Sequence, residues 1–400
     1  MVRYAAETVP YYQDLFKTLR REPRNIRRAE DLDLLPLIDK DLVRRDPERF
    51  RSNSRAGRKS ILFLTSGSTG EPLRYYHDTR SMLANMAHGE REREVLTGLL
   101  GRKTGYRRLF IVRPQSTVSV VSGFYAKHTC IPIRPGSEQV SVLEPFETVV
   151  NRVNEVRPDV LGGYGAYLEV FFRTVEARGI AMHRPAVVFY SADAMTDSGR
   201  RFVEERIGVP VLSSYNAVES FKIGFLCEQR RGFHIHEDLC YLKIVDSEGR
   251  RVRHSEKGEI ILSNLVNRGT VLLNYRIGDV GSLSDGKCPC GRVFPVLHDL
   301  EGRVEDILQL PDGRFIHPRA VWAVLKHVEG LLRYQLVQRE PSRFELKLVP
   351  GNREACECIV SQVRPELQQL LGVGSTLDIT FHERLDSEPS GKFRTVISVR

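Results

Sequence analysis

No stretch of this 400-residue chain approaches the roughly 20 consecutive apolar residues that span a bilayer. The opening Met1-Val2-Arg3-Tyr4-Ala5 runs directly into charged, helix-like sequence, without the apolar core of a secretory signal. A cytoplasmic protein with no membrane partner is therefore expected. Cysteine is present as an odd set of seven, which argues against a disulfide framework. No block of Lys and Arg interleaved with aromatics marks a nucleic-acid stripe. Internal repeats and low-complexity tracts are absent too. Two phosphate-binding signatures are also missing: no Gly-Lys-Ser/Thr follows the one Ser/Gly/Thr-rich loop, and its glycines lack the Gly-x-Gly-x-x-Gly spacing.

What remains is a chain with 41% hydrophobic residues, enough for a sizeable core and for two or three domains. The formal charge of +9, from 60 Lys+Arg against 51 Asp+Glu, is spread along the whole length. Much of it is solvated surface, and the remaining field favours polyphosphate ligands.

Residues 1–60 read as charged helices whose Tyr4, Val9, Tyr11, Tyr12, Leu15 and Phe16 dock on a larger body, with Asp39 capping a later helix. Ile61-Leu62-Phe63-Leu64 is a short strand that feeds the loop Thr65-Ser66-Gly67-Ser68-Thr69-Gly70. Strand-like runs at 108–112 and 186–190 follow, the second leading into a helix capped by Thr196-Asp197 and stopped by Gly208. The next strand starts at Val209, and strand–helix–strand at this spacing implies a parallel sheet. From 235 to 283 the pattern turns to strands, at 241–245, 258–262 and 271–275. The last hundred residues or so read as a small α+β domain, with a helix at 321–328 and strands at 344–348 and 377–381.

The loop Thr65-Ser66-Gly67-Ser68-Thr69-Gly70 has the chemistry of an anion cradle. Glycines let backbone N–H groups turn inward, and the hydroxyls add donors. Further along come Ser213-Ser214-Tyr215-Asn216-Ala217-Val218-Glu219, Tyr275-Arg276-Ile277-Gly278-Asp279, Glu301-Gly302-Arg303-Val304-Glu305-Asp306 and Pro389-Ser390-Gly391-Lys392. In this order the segments resemble the motifs of the adenylate-forming superfamily, which includes acyl-coenzyme A synthetases and luciferases. Tyr11-Tyr12, Gly232-Phe233-His234-Ile235 and Cys288-Pro289-Cys290-Gly291-Arg292 bring the resemblance closest to the phenylacetate-coenzyme A ligase and coenzyme F390 synthetase branch.

The resemblance implies an α/β fold. A large N-terminal domain, residues 1–302, has parallel sheets and a β-rich subdomain and binds ATP and the acid. A small mobile α+β domain, 303–400, carries the catalytic lysine. The implied activity is ATP-dependent activation of a carboxylic acid to an acyl-adenylate, then transfer to a thiol, foremost coenzyme A. Transfer to an amine or a carrier protein is the alternative second step. A non-catalytic nucleotide- or polyanion-binding protein is the alternative from another class. A homodimer is compatible with all three.

By the same resemblance Lys392 neutralises charge as carboxylate meets α-phosphate, and Glu219 holds Mg²⁺ through hard oxygen. Asp279 accepts from the ribose hydroxyls, Tyr215 stacks on adenine, and Ser191, Ala192, Asp193 and Asn216 complete the nucleotide site with Arg303. Glu305 lies at the hinge. Tyr125, Tyr164, Gly165 and Ala166 line an acid pocket whose small residues beside aromatics suit a flat aryl acid. Two positions depart from the pattern. Val218 replaces a hydroxyl residue, and Asn216 replaces a glycine, though Asn tolerates left-handed backbone. Cys227, His234, Cys288 and Cys290 would fit a tetrahedral structural zinc site, with His236 and Cys240 as substitutes.

Overall fold

The computed structural model describes residues 1–64, 73–113, 117–128, 137–301, 308–316, 318–325, 328, 331–350, 353–385 and 394–398. The described residues fall into two compact units. One is built from 1–64, 73–99 and 212–301, the other from 100–211 and the C-terminal segment.

In the first unit, strands lie in the order Cys240–Val245, Gly258–Asn264, Tyr275–Leu283, Val296–Glu301, Phe233–Ile235, Phe221–Leu226 and Val211–Ala217. Every neighbouring pair is antiparallel. Two further strands, β1 (Ile61–Leu64) and β2 (Arg74–His77), form a separate antiparallel hairpin around residues 65–72. The N-terminal helices Val2–Thr8 and Pro10–Leu19 dock as expected. Ala5, Val9, Tyr12 and Phe16 are buried in one core with Val271, Leu272 and Leu273. Asp39 caps Lys40–Arg45 by accepting the Leu42 N–H at 2.7 Å.

The strand expected at 271–275 begins only at Tyr275. Residues 271–274 are fully buried, but their backbone groups go to scattered partners instead of one ladder. Val271 N–H donates to Phe50, Leu273 N–H to the Tyr12 hydroxyl, and Asn274 N–H to Ser263 Oγ. Asn274 has φ of 55°. An apolar run signals burial, and here burial came without sheet pairing.

The second unit contains four parallel strands in the order Val187–Ser191, Val160–Gly163, Arg108–Val112 and Ser137–Ser141. Helices Phe146–Val156 and Gly165–Ala177 bury one stripe each. Phe146, Val149, Val150 and Val153 recur at helical spacing, as do Tyr167, Leu168, Phe171 and Phe172. Thr196 caps the following helix, and Gly208, at φ 72°, ends it after a wider turn at Phe202–Ile207. The C-terminal segment forms a four-stranded sheet in the order Thr376–Phe381, Arg343–Pro350, Leu331–Glu340, Val396–Ser398. Its central pair is antiparallel and both outer pairs are parallel. Helices Pro318–Leu325 and Arg353–Leu371 accompany it. The fold class is the α/β architecture expected.

Candidate active site

Glu219 stands in the turn between strands Val211–Ala217 and Phe221–Leu226, closed by Ser220 N–H donating to the Ala217 carbonyl at 3.1 Å. Its side chain is largely buried. The Tyr275 hydroxyl donates to Glu219 Oε1 at 3.4 Å, and the Tyr75 hydroxyl lies 2.8 Å from that of Tyr275. Because the Tyr275 proton faces the carboxylate, Tyr75 must be the donor to Tyr275. Burial, foremost, and the Glu219 carboxylate raise both phenols well above their ordinary range. They stay protonated donors at any working pH.

Asp279 ends the Tyr275-Arg276-Ile277-Gly278-Asp279 segment inside strand Tyr275–Leu283, just after Gly278, whose φ of 87° falls where the pairing with strand Gly258–Asn264 shifts register. The Tyr215 hydroxyl donates to Asp279 Oδ2 at 2.7 Å. Burial first, then the Asp279 charge, lifts the Tyr215 phenol well above its ordinary value. Tyr215 and Asp279, 64 residues apart, therefore act as one unit.

Asn216 uses none of its tolerance for left-handed backbone. Its φ is not positive, and the chain instead bends through a register shift between Tyr215 and Asn216. Asn216 Nδ2 donates to Ser214 Oγ at 2.7 Å.

In the second unit the structure joins the segment around Gly165 to the segment around Asp193. Asp193 Oδ1 accepts the N–H of Gly165, an orphan donor at the start of helix Gly165–Ala177. A Cβ on Gly165 would come within 2.5 Å of the Met195 nitrogen and 2.7 Å of the Ala194 carbonyl carbon, so the close approach requires glycine. Ala192 takes φ of 80°, a strained conformation for a residue with a Cβ. Ser191 ends its strand, and Ala166 lies in the first turn of the helix. Tyr164 precedes that helix, and its hydroxyl accepts the Arg113 N–H at 3.4 Å. Tyr125, on helix Thr117–His128, packs edge-on to Phe124 at 5.7 Å between centroids.

A second constellation lies in the first unit. One ligand atom each from Cys227, His234, Cys288 and Cys290 falls within a set no wider than 4.8 Å. Cys227 and Cys288 Sγ are 3.7 Å apart, and Cys290 Sγ is 3.4 Å from His234 Nε2. Tetrahedral bonds to zinc, at about 2.3 Å for sulfur and about 2.0 Å for nitrogen, predict edges of about 3.8 Å and about 3.5 Å. These two edges match those of a tetrahedral zinc site, and the donor set has the composition such a site uses. The substitutes do not join them. His236 Nδ1 meets the Arg91 guanidinium at 3.1 Å, its Nε2 faces Glu92 at 3.8 Å, and Cys240 Sγ donates to the His236 carbonyl at 3.7 Å. Glu92 in turn binds Lys222 Nζ through both oxygens, at 2.7 and 2.6 Å. Burial, the largest single influence, opposes its ionisation, but Lys222 and His236 together outweigh burial and hold the carboxyl below its ordinary range.

Thr65, Ser66, Gly67, Ser68, Thr69, Gly70, Arg303, Glu305 and Lys392 lie outside the described residues. Sequence reasoning missed Tyr75 and His77, which reach the Glu219 turn from β2, and gave Tyr275 no role. The sequence carried little signal for the first two: two tyrosines stand side by side at 75 and 76, and only the strand's alternating burial puts Tyr75 and His77 on one face.

The fold defined by these sheets and helices is that of the adenylate-forming ligases. A solved 2-hydroxyisobutyryl-CoA ligase, in complex with 2-HIB-AMP and CoA in the thioesterification state, matches with a TM-score of 0.66 over 99% of this chain and 87% of that one, at 18% identity. Within that class the chain resembles the phenylacetate-coenzyme A ligase branch along its whole length. It is 25% identical to the phenylacetate-coenzyme A ligase of Thermus thermophilus, over 100% of this chain and 94% of that protein. It is 22% identical to Protein CapK of Staphylococcus aureus, over 99% of this chain and 86% of that protein. Residues 308–399 match the family described as the CapK C-terminal domain.

Proposed function

We propose that this protein is an AMP-forming acid–thiol ligase that activates an aryl carboxylic acid and passes the acyl group to coenzyme A. A carboxylate oxygen attacks the α-phosphorus of ATP and pyrophosphate leaves. The thiol sulfur then attacks the acyl carbon, and AMP leaves. The observation that carries this reading is the meeting, within one unit, of a buried Glu219 held by Tyr275 with a Tyr215–Asp279 pair.

In this reading Asp279, oriented by Tyr215, accepts the ribose hydroxyls, and the Tyr215 ring forms a wall for adenine. Asn216, Ser191, Ala192, Asp193 and Arg303 complete the nucleotide site. Glu219 supplies the hard carboxylate oxygen suited to Mg²⁺, an ion that offsets phosphate charge when bound. Val218 offers no hydroxyl, which leaves Thr65, Ser66, Ser68 and Thr69 as side-chain donors to phosphate. Lys392 neutralises the charge that builds as two anions meet. Its domain, 303–400, turns against 1–302 at Arg303 and Glu305. Tyr125, Tyr164, Gly165 and Ala166 shape the acid pocket. Cys227, His234, Cys288 and Cys290 hold a structural zinc. The reading places the enzyme in the cytoplasm, with no nucleic-acid or membrane partner; a homodimer fits it as well.

The test is exchange of labelled pyrophosphate into ATP across a panel of aryl and alkyl acids, followed by a panel of acceptors. An aryl acid should stimulate exchange, and Lys392→Ala should lower it by at least a hundredfold, on the order of the loss from removing one charge-stabilising group. Exchange with no acid in the panel would overturn the activity. Release of acyl groups to an amine or a carrier protein instead of coenzyme A would correct the second step.

A further inference from the structure

We infer that β2 is a brace for Glu219: its two inward side chains, Tyr75 and His77, fix the carboxylate on one side and the turn that carries it on the other. The inference rests on Glu219 having the role proposed above.

The strand is four residues long, and its side chains alternate, with Tyr75 and His77 buried and Arg74 exposed. Tyr75 reaches the carboxylate through Tyr275, by contacts of 2.8 and 3.4 Å. His77 reaches the backbone one residue earlier, its Nε2 lying 2.7 Å from the Val218 carbonyl. A carbonyl only accepts, so Nε2 carries the proton. Nδ1 is then a lone pair, and it has no hydrogen-bond partner among the described residues.

The turn beneath is strained and needs such support. Phe221 takes φ of 61°, a conformation that persists for a bulky residue only when its surroundings over-determine it. The His77 ring packs on Phe221 at 4.0 Å between centroids, and Phe63 from β1 meets both rings edge-on. Asn264 Nδ2 donates to Ser220 Oγ at 3.0 Å. Glu219 therefore sits between two anchors from one strand, and that strand directly follows the residues proposed to hold phosphate. Tyr75 and His77 are positioning residues; they act through Tyr275 and Val218.

The experiment uses three variants of the full chain. His77→Phe keeps a ring against Phe221 and removes the donor, His77→Gln keeps an N–H donor, and Tyr75→Phe removes one hydroxyl. Two readouts are taken: hydrogen exchange of residues 217–223 in the ligand-free protein, and the Mg²⁺ concentration giving half-maximal pyrophosphate exchange. His77→Phe should speed amide exchange of the turn about tenfold, with a similar rise in the Mg²⁺ requirement, while His77→Gln retains most of the native behaviour. Tyr75→Phe should raise the Mg²⁺ requirement and leave the turn's amide exchange nearly native. Native values of both readouts in His77→Phe and Tyr75→Phe would overturn the brace. Where circular dichroism shows that His77→Phe does not fold, Tyr75→Phe decides by the Mg²⁺ readout. If no acid supports exchange even in the native protein, the ligase reading fails, and hydrogen exchange in the His77 variants alone decides the brace.

Discussion

Acidification should unfold this protein in part through His77. Burial, the largest influence, lowers its pKa from 6.5 to about 4, against the opposing pull of the Val218 carbonyl and the neighbouring Asp78. The ring is 0% exposed. A second proton would sit on Nδ1 among Phe63 and Phe221, where no described residue accepts it. Above pH 6.5 the residue is neutral in both folded and unfolded chains, and its contribution to stability is intact. Between 6.5 and about 4 the unfolded chain takes up a proton that the folded chain refuses, so stability falls as pH falls. One proton over that interval, at about 1.4 kcal/mol per pH unit, amounts to roughly 3 kcal/mol. The loss levels off below about pH 4, once the folded state is protonated too.

The assay is urea unfolding followed by far-ultraviolet circular dichroism at pH 7, 5.5 and 4, for the native protein and for His77→Phe. Phenylalanine cannot titrate, so the stability difference between the two should shift by roughly 3 kcal/mol toward the variant as pH falls from 7 to 4. A difference that stays constant across the range, or that shifts toward the native protein in acid, would show that His77 does not carry this acid sensitivity.

Two further outcomes follow from the site. The chain as purified should carry one zinc per molecule, with an X-ray absorption spectrum of three sulfur neighbours near about 2.3 Å and one nitrogen near about 2.0 Å. Cys288→Ser should lower the zinc content, whereas Cys240→Ser should leave it unchanged. Tyr215→Phe removes a hydrogen bond to a charged group, commonly about 1.5–3 kcal/mol, but water can replace part of it because Asp279 is only half-buried. About 1 kcal/mol remains, so the Michaelis constant for ATP in pyrophosphate exchange should rise roughly fivefold with kcat nearly unchanged.

Much of the architecture was legible because local periodicity and side-chain burial agree there. The parallel strands at Arg108–Val112 and Val187–Ser191, the cap at Thr196 and the left-handed stop at Gly208 all lie where residue chemistry puts them. The strand expected over 271–274 failed for a physical reason. Apolar residues report burial, and three separate partners met the backbone needs that a ladder would otherwise meet. At Asn216 the tolerance of asparagine for left-handed geometry goes unused, since a side chain that tolerates it does not require it.

Residue types and their order determined the chemistry on offer: hydroxyls and glycines before β2, acids at 219 and 279, a lysine at 392, and a thiolate pair at 288 and 290. Order along a chain carries no distances. It took the folded chain to bring Cys227 and His234, and not His236 or Cys240, to that thiolate pair, because strand pairing sets which side chains share a face. Folding likewise brought Tyr75, His77 and Tyr275 to the turn of Glu219, through contacts spanning between 56 and 200 residues.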